Sequence, residues 1–152
     1  MLKFLIPVDG SEPCTQAVKQ LAKYLGWMKE EVEIHLLNVQ QRIPYGRRVS
    51  SVLGRARIAL LQKEGGLAAL KPARKLLDGT KVRYHYHIAE GEPAEVITQY
   101  AREKGCDQII MGTRGMGSAS SLMLGSVATK VVQLSPVPVL LAKKRGPAAR
   151  KK

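Results

Sequence analysis

The sequence predicts a single-domain α/β fold, a doubly wound five-stranded parallel sheet with helices on both faces. Three observations predict it. Short apolar runs and longer amphipathic stretches alternate as βαβαβαβαβ along 152 residues, an order that suits parallel strands joined by crossover helices. The first run, Leu2 to Val8, is continuously apolar apart from Lys3, as in a strand buried on both faces. A glycine-rich stretch, Gly112 to Ser118, comes directly after Gln108-Ile109-Ile110-Met111, and a helix-like segment comes directly after Gly125-Ser126.

The elements follow in order. Asp9-Gly10-Ser11 ends the first strand, with Ser11 as N-cap and Glu12-Pro13 in the first helical turn. Ala17, Leu21, Tyr24, Leu25 and Met28 recur at helical spacing and carry the helix to about Met28. Val32 to Val39 is the second strand, and Gln40 to Arg48 a loop holding Pro44 and Gly46. From about Ser50 to Leu77 one helical face carries Leu53, Ala56, Leu60, Leu67, Leu70 and Leu77. Gly65-Gly66 and Pro72 interrupt this face and predict a kink or two shorter helices. Lys81 to Ala89 alternates, with Val82, Tyr84, Tyr86 and Ile88 on one face and Arg83, His85 and His87 on the other. That pattern predicts an edge strand with one wetter face. Glu92 to Lys104 is the third helix, Cys106 to Met111 the fourth strand and Gly125 to Leu134 the fourth helix. Val137 to Ala142 is the fifth strand, placed at a sheet edge by Pro136 and Pro138, which cannot donate to a ladder.

Composition bounds the function. No apolar run approaches the roughly 20 residues of a membrane span, and the N-terminal stretch is too short and too soon acidic for a signal peptide. Two cysteines, Cys14 and Cys106, are too few for a disulfide framework and suit a reducing, cytoplasmic setting. The net charge of +13 is uneven. Residues 41–75 carry a net +8 and the tail Lys143 to Lys152 a net +6, so the rest is balanced. The expected organisation is a domain over 1–143 and a basic C-terminal tail over 144–152. The basic segments offer weak, salt-sensitive contacts with polyanions, although few aromatics stand near them to stack on bases.

The glycine-rich stretch carries the chemistry. Glycine lets a backbone approach a ligand without a Cβ in the way, and a helix N-terminus offers unpaired N–H groups and the positive end of the macrodipole. Strand, glycine loop and helix start together read as a phosphate cradle. It is not a P-loop, because it contains no lysine and no Gly-x-x-x-x-Gly-Lys-Ser/Thr. It is not a dinucleotide fingerprint, because Ser120 stands where a third glycine is required. If the strand order reverses between the first and fourth strands, Asp9 and the glycine loop face one crevice.

What remains is Gly112-x2-Gly115-x9-Gly125-Ser126, together with Pro7-Val8-Asp9-Gly10-Ser11 and the ending Pro136-Val137-Pro138-Val139-Leu140. This combination closely resembles the universal stress protein family, from Leu2 to about Lys143 and least over residues 40–75. The resemblance implies the family's fold, Rossmann-like and similar to the adenine nucleotide alpha hydrolases, and implies ATP binding of the kind marked by this glycine pattern. Carried over by position, it implies that Asp9 and Val39 contact the adenine and ribose end, with Pro7 and Val8 lining it. Gly112, Arg114, Gly115, Gly125, Ser126 and Val127 would surround the phosphates, and Met111 would stand at the loop's entrance. Mg²⁺ or Mn²⁺ would accompany the nucleotide, held mostly by phosphate oxygens and water. A homodimer through Val137 to Ala142 is implied as well, and would cover an apolar edge.

Plainer readings stand beside these. Asp9 could simply assist Ser11 in capping the first helix, and Arg114 could point to solvent. His85 and His87 could form half of a metal site, but with no evident third ligand they read as exposed edge histidines. From Gly112 to Ser126 the sequence holds no Asp, Glu or His, hence no general base beside the phosphates. Binding that favours ground and transition states alike gives little catalysis. The expectation is an ATP-dependent stress regulator with slow or no hydrolysis. The alternatives are a polyanion-binding stress module and a weak ATPase or phosphotransferase.

Overall fold

A computed structural model describes residues 1–42, 54–113 and 123–143. Nine elements run in the order β1 (Leu2–Pro7), α1 (Glu12–Leu25), β2 (Val32–Gln40), α2 (Arg55–Asp78), β3 (Arg83–Glu90), α3 (Pro93–Glu103), β4 (Gln108–Gly112), α4 (Ser126–Leu134) and β5 (Val139–Ala142). The five strands form one sheet in the order β3-β2-β1-β4-β5, and every pairing is parallel. The chain builds outward from β1 to β3, then crosses back to β4 on the other side. The reversal between β1 and β4 is the crevice where such sheets bind ligands.

The central strand explains its own composition. β1 lies between β2 and β4, so Phe4 and Ile6 face one layer and Leu5 the other. On the first face Phe4, Ile6 and Val8 pack with Ile34 and Leu36 of β2, Val18 and Leu21 of α1, and Leu70, Ala73 and Leu77 of α2. On the second face Leu5 packs with Leu37, Ile109 and Met111, under Ala94, Ile97 and Ala101 of α3 and Ala128 and Val131 of α4. Full burial of each large side chain stabilises the fold by about 1.5–3 kcal/mol.

Local signals set the boundaries. Ser11 caps α1, its hydroxyl accepting from Cys14 N at 3.4 Å. The helix stops at Leu25, short of the expected Met28, because Gly26 follows as its C-cap. Gly10 makes the turn out of β1 at a φ of 83°, and a Cβ there would lie 3.2 Å from Ala69 Cα. Of the two outcomes expected here, a kink or two shorter helices, the second is corrected: α2 runs as one helix from Arg55 to Asp78 through Gly65, Gly66 and Pro72. Gly66 serves close packing, because a Cβ there would fall 2.7 Å from Ile88 Cγ2. Beyond Pro72, buried Ala73 and Leu77 anchor the next turns. The expected start of this helix near Ser50, with Leu53, lies outside the described residues, as does most of the loop before it.

β3 and β5 are the two edges, as expected. β5 starts at Val139 and not at Val137, because Pro138 has no N–H and joins the ladder only through its carbonyl, which accepts from Ile109 N at 3.0 Å. On the sheet face beneath α3, the alternation of β3 places His85 and His87 beside a buried polar network from β2. Glu33 Oε1 and His35 Nε2 are 2.9 Å apart, and His35 Nδ1 lies 3.0 Å from the Tyr100 hydroxyl. An ionised carboxylate only accepts, so His35 donates to Glu33 from Nε2. His85 Nε2 stands 3.6 Å from Glu33 Oε2.

The hydrogen bond from His35 holds the Glu33 carboxyl below its usual 4.5, against the opposing effect of burial. A carboxyl lowered in the folded state stabilises the fold fully above its unfolded value and loses that contribution as pH falls through the folded one. Glu33→Gln is therefore expected to be less stable than wild type at neutral pH and to lose less stability between about pH 5 and about pH 3. Urea denaturation across that range checks it, and parallel profiles for the two proteins would contradict it.

Candidate nucleotide site

The carboxyl ends of β1, β2 and β4 converge with the first turns of α3 and α4 around one cleft of about 350 Å³. That volume falls in the usual range for small-molecule sites, about 300–1,000 Å³. Pro7, Val8 and Asp9 form its β1 wall, Leu37, Val39 and Gln41 its β2 wall, and Met111 and Gly112 the end of β4. Gly125, Ser126, Val127 and Ala128 close it from α4. Nine of the eleven residues expected at the site thus line one cavity; Arg114 and Gly115 lie outside the described residues.

The helix termini around the cleft differ in how they are capped. Ser11 caps α1. Glu92 caps α3 by accepting from Glu95 N at 3.0 Å, and the same carboxylate reaches Lys130 Nζ at 3.4 Å. These contacts, led by the backbone donor, hold the Glu92 carboxyl below its usual value. α4 begins at Gly125, which offers no side-chain cap. Its first N–H groups and the positive end of its dipole therefore face a cavity already lined by Ser126, Val127 and Ala128, the arrangement that suits an anion. Gly125 is held in place by donating its own N–H to Thr113 O at 2.8 Å.

The β1 wall of the cleft is built on Asp9. Ser11 N donates to Asp9 Oδ1 at 2.9 Å, and the Cys14 thiol lies 3.0 Å from the same oxygen. Asp9 thus belongs to the turn before α1 and lines the cavity at once. Asn38 braces this wall from β2, its side-chain amide donating to Val8 O at 2.7 Å. Burial first, and the Asp9 charge second, push the Cys14 thiol up to about 12, so it stays protonated and donates.

The sequence reading did not name Cys14, Leu37, Gln41, Pro93, Ile97 and Ala128 among the lining residues. Two were within reach of it: Leu37 shares a strand face with Val39 by the period of two, and Ala128 follows Val127 in the first turn of α4. Cys14 and the α3 pair depend on how those helices cross the sheet, which no local pattern encodes. Asp9 is the sole ionisable carboxylate among the described lining residues. Among the described residues no group of three His, Cys, Asp or Glu is placed to hold a metal ion, the histidines on β3 included.

The architecture and the cavity define a class: a doubly wound α/β domain with a ligand cleft at its topological switch point. Comparison with known proteins narrows it. The sequence model described as the universal stress protein family matches residues 1–143. Universal stress protein MJ0531 of Methanocaldococcus jannaschii is 34% identical over 143 residues, covering 93% of this chain and 82% of its own. The solved structure of MJ0577 from the same organism is 27% identical with a TM-score of 0.78, over 95% of this chain and 97% of that one. A universal stress protein family member from Arabidopsis thaliana, solved with AMP bound, superposes with a TM-score of 0.66 at 20% identity, over 97% of both chains. The chain belongs to the universal stress protein family.

Proposed function

We propose that this protein binds ATP in the cleft between β1 and β4 and acts as a nucleotide-dependent stress regulator, with slow or no hydrolysis. The observation that supports the reading is the N-terminus of α4, without a side-chain cap among the described residues, lining a nucleotide-sized cavity that Asp9 also lines. The phosphates would lie against Gly112, Gly125, Ser126 and Val127, with Arg114 and Gly115 completing the loop. The adenosine end would lie against Pro7, Val8, Asp9 and Val39, with Met111 between. The AMP held by the Arabidopsis relative supports an adenine nucleotide as the class of ligand. The described site offers no ready metal cage, so Mg²⁺ or Mn²⁺ would be held chiefly by phosphate oxygens and water. With no described carboxylate or imidazole at the phosphate end, the site has no evident general base there, which supports storage over turnover.

Calorimetric titration of ATP, ADP and AMP tests the reading. Saturable binding with ATP tightest is expected; absence of binding to all three would overturn it.

The proposal extends to a cytoplasmic homodimer formed by the domain over 1–143. No helix among the described residues is long and apolar enough to cross a membrane. Among the described strands β5 pairs only with β4, and Leu140 on β5 and Val132 and Leu134 on α4 are exposed. An apolar edge strand of this kind invites a partner strand. Leu140→Glu is expected to convert a dimer to monomer in sedimentation equilibrium while leaving the far-ultraviolet circular dichroism unchanged. An unaltered dimer would contradict the interface.

One observation favours a second reading, polyanion binding. Arg55, Arg57, Lys63, Lys71 and Lys75 are all exposed on α2, and residues 144–152 add a basic tail. Nucleic-acid affinity that survives physiological salt would favour that reading, since loose phosphate contacts weaken steeply as salt rises.

A further inference from the structure

The floor of the cleft beneath Asp9 is a cysteine, and its contacts give it a definite task. Cys14 is buried, yet it lines the cavity. It stands in the first turn of α1, where its N–H donates to the Ser11 cap. Its sulfur lies 3.0 Å from Asp9 Oδ1 and 3.5 Å from Pro7 O. Asp9 itself is exposed and sits in the turn between β1 and α1, where a short side chain has several rotamers open to it. The donation from Ser11 N is a main-chain contact and would be present whatever residue followed. The contact from the thiol depends on the side chain at position 14.

We propose that Cys14 is a positioning residue of the nucleotide site: its thiol pins Asp9 Oδ1 from below and so fixes the carboxylate in the orientation that meets the nucleoside end of the ligand. The inference rests on the nucleotide reading of the cleft and adds to it a residue outside the glycine pattern. Two donors converging on one carboxylate oxygen remove rotamer freedom before the ligand arrives, which lowers the ordering cost of binding. Because the thiol is held in its neutral form up to about 12, it donates throughout the physiological range and never presents a thiolate to the carboxylate. The same feature makes it a poor nucleophile, so its service here is structural and electrostatic.

The test uses the full chain as wild type, Cys14→Ala and Cys14→Ser, each titrated calorimetrically with AMP and with ATP. Thermal melts establish that all three are folded. Cys14→Ala is expected to weaken both nucleotides by a similar factor, about tenfold, because the loss acts on the part of the ligand they share. Cys14→Ser restores a donor and is expected to return within about threefold of wild type. The ¹³C resonance of the Asp9 carboxylate should move in Cys14→Ala and return toward its wild-type position in Cys14→Ser, a response that altered packing alone would not produce. Cys14→Ala binding with wild-type affinity overturns the role, as does a loss that serine fails to restore. Wild type that binds neither nucleotide overturns the reading of the cleft itself, an outcome distinct from both.

Discussion

Ser126→Asp is expected to weaken nucleotide binding on the order of a hundredfold while leaving the fold as stable as wild type or slightly more so. Ser126 is exposed and lines the cleft at the first position of α4, whose Gly125 gives no side-chain cap. A carboxylate in the first turn meets the positive end of the helix dipole, which stabilises a helix by about 0.3–1 kcal/mol. The same charge would stand where the phosphates are proposed to lie. At about 4 Å and an effective dielectric near 20, each like-charge contact costs up to about 4 kcal/mol, so even a part of this lowers affinity on the order of a hundredfold. Calorimetry and a thermal melt of the same sample read both effects. A variant that kept wild-type affinity for ATP would remove the phosphates from α4.

Gly112→Val is expected to damage fold and site together. Gly112 ends β4 in register with Ala142 of β5, and a Cβ there would lie 3.0 Å from both the carbonyl carbon and the Cβ of Pro13. Backbone at the start of α1 cannot rotate aside as a side-chain tip could. The branched valine would force α1 away from β4, and α1 carries the cap and the thiol that hold Asp9. Overpacking of this sort costs about 1–3 kcal/mol. At about 2–4 °C per kcal/mol for a chain of this size, the melting temperature is expected to fall by about 2–12 °C, with weaker ATP binding wherever the variant is folded. A melting temperature equal to that of wild type would show that the contact relaxes freely.

The order of elements was legible because each long-range decision has a local signature here. Buried central strands appear as unbroken apolar runs, the wet edge of β3 as alternation, and the other edge as Pro136 and Pro138. Ser11 marked a helix start because capping is a matter between neighbours in sequence, whereas the apolar spacing that continues to Met28 masked the stop at Gly26. The split into two helices that α2 does not show was expected for the converse reason. Gly66 is a local helix weakener, but its lack of a side chain admits Ile88 of β3, and that contact belongs to the tertiary fold. The site divides in the same way. Asp9, Gly112 and Gly125-Ser126 sit at junctions of strand, turn and helix, so their positions follow from the chain itself. Cys14, Pro93 and Ile97 reach the cleft only because α1 and α3 cross the sheet where they do. The Glu33–His35–Tyr100 network was invisible for the same reason, since 65 residues separate His35 from the hydroxyl that completes it.

The central claim is that the cleft at the β1–β4 reversal takes an adenine nucleotide with its phosphates on α4. The most direct measurement follows backbone amide resonances of the ¹⁵N-labelled protein as ATP is added. Large saturable shifts at Ser126, Val127 and Ala128, joined by Asp9, Val39 and Gly112 and absent at Trp27 just past the C-terminal end of α1, are predicted. Shifts confined to the basic residues of α2, or none at all at the start of α4, would contradict the account.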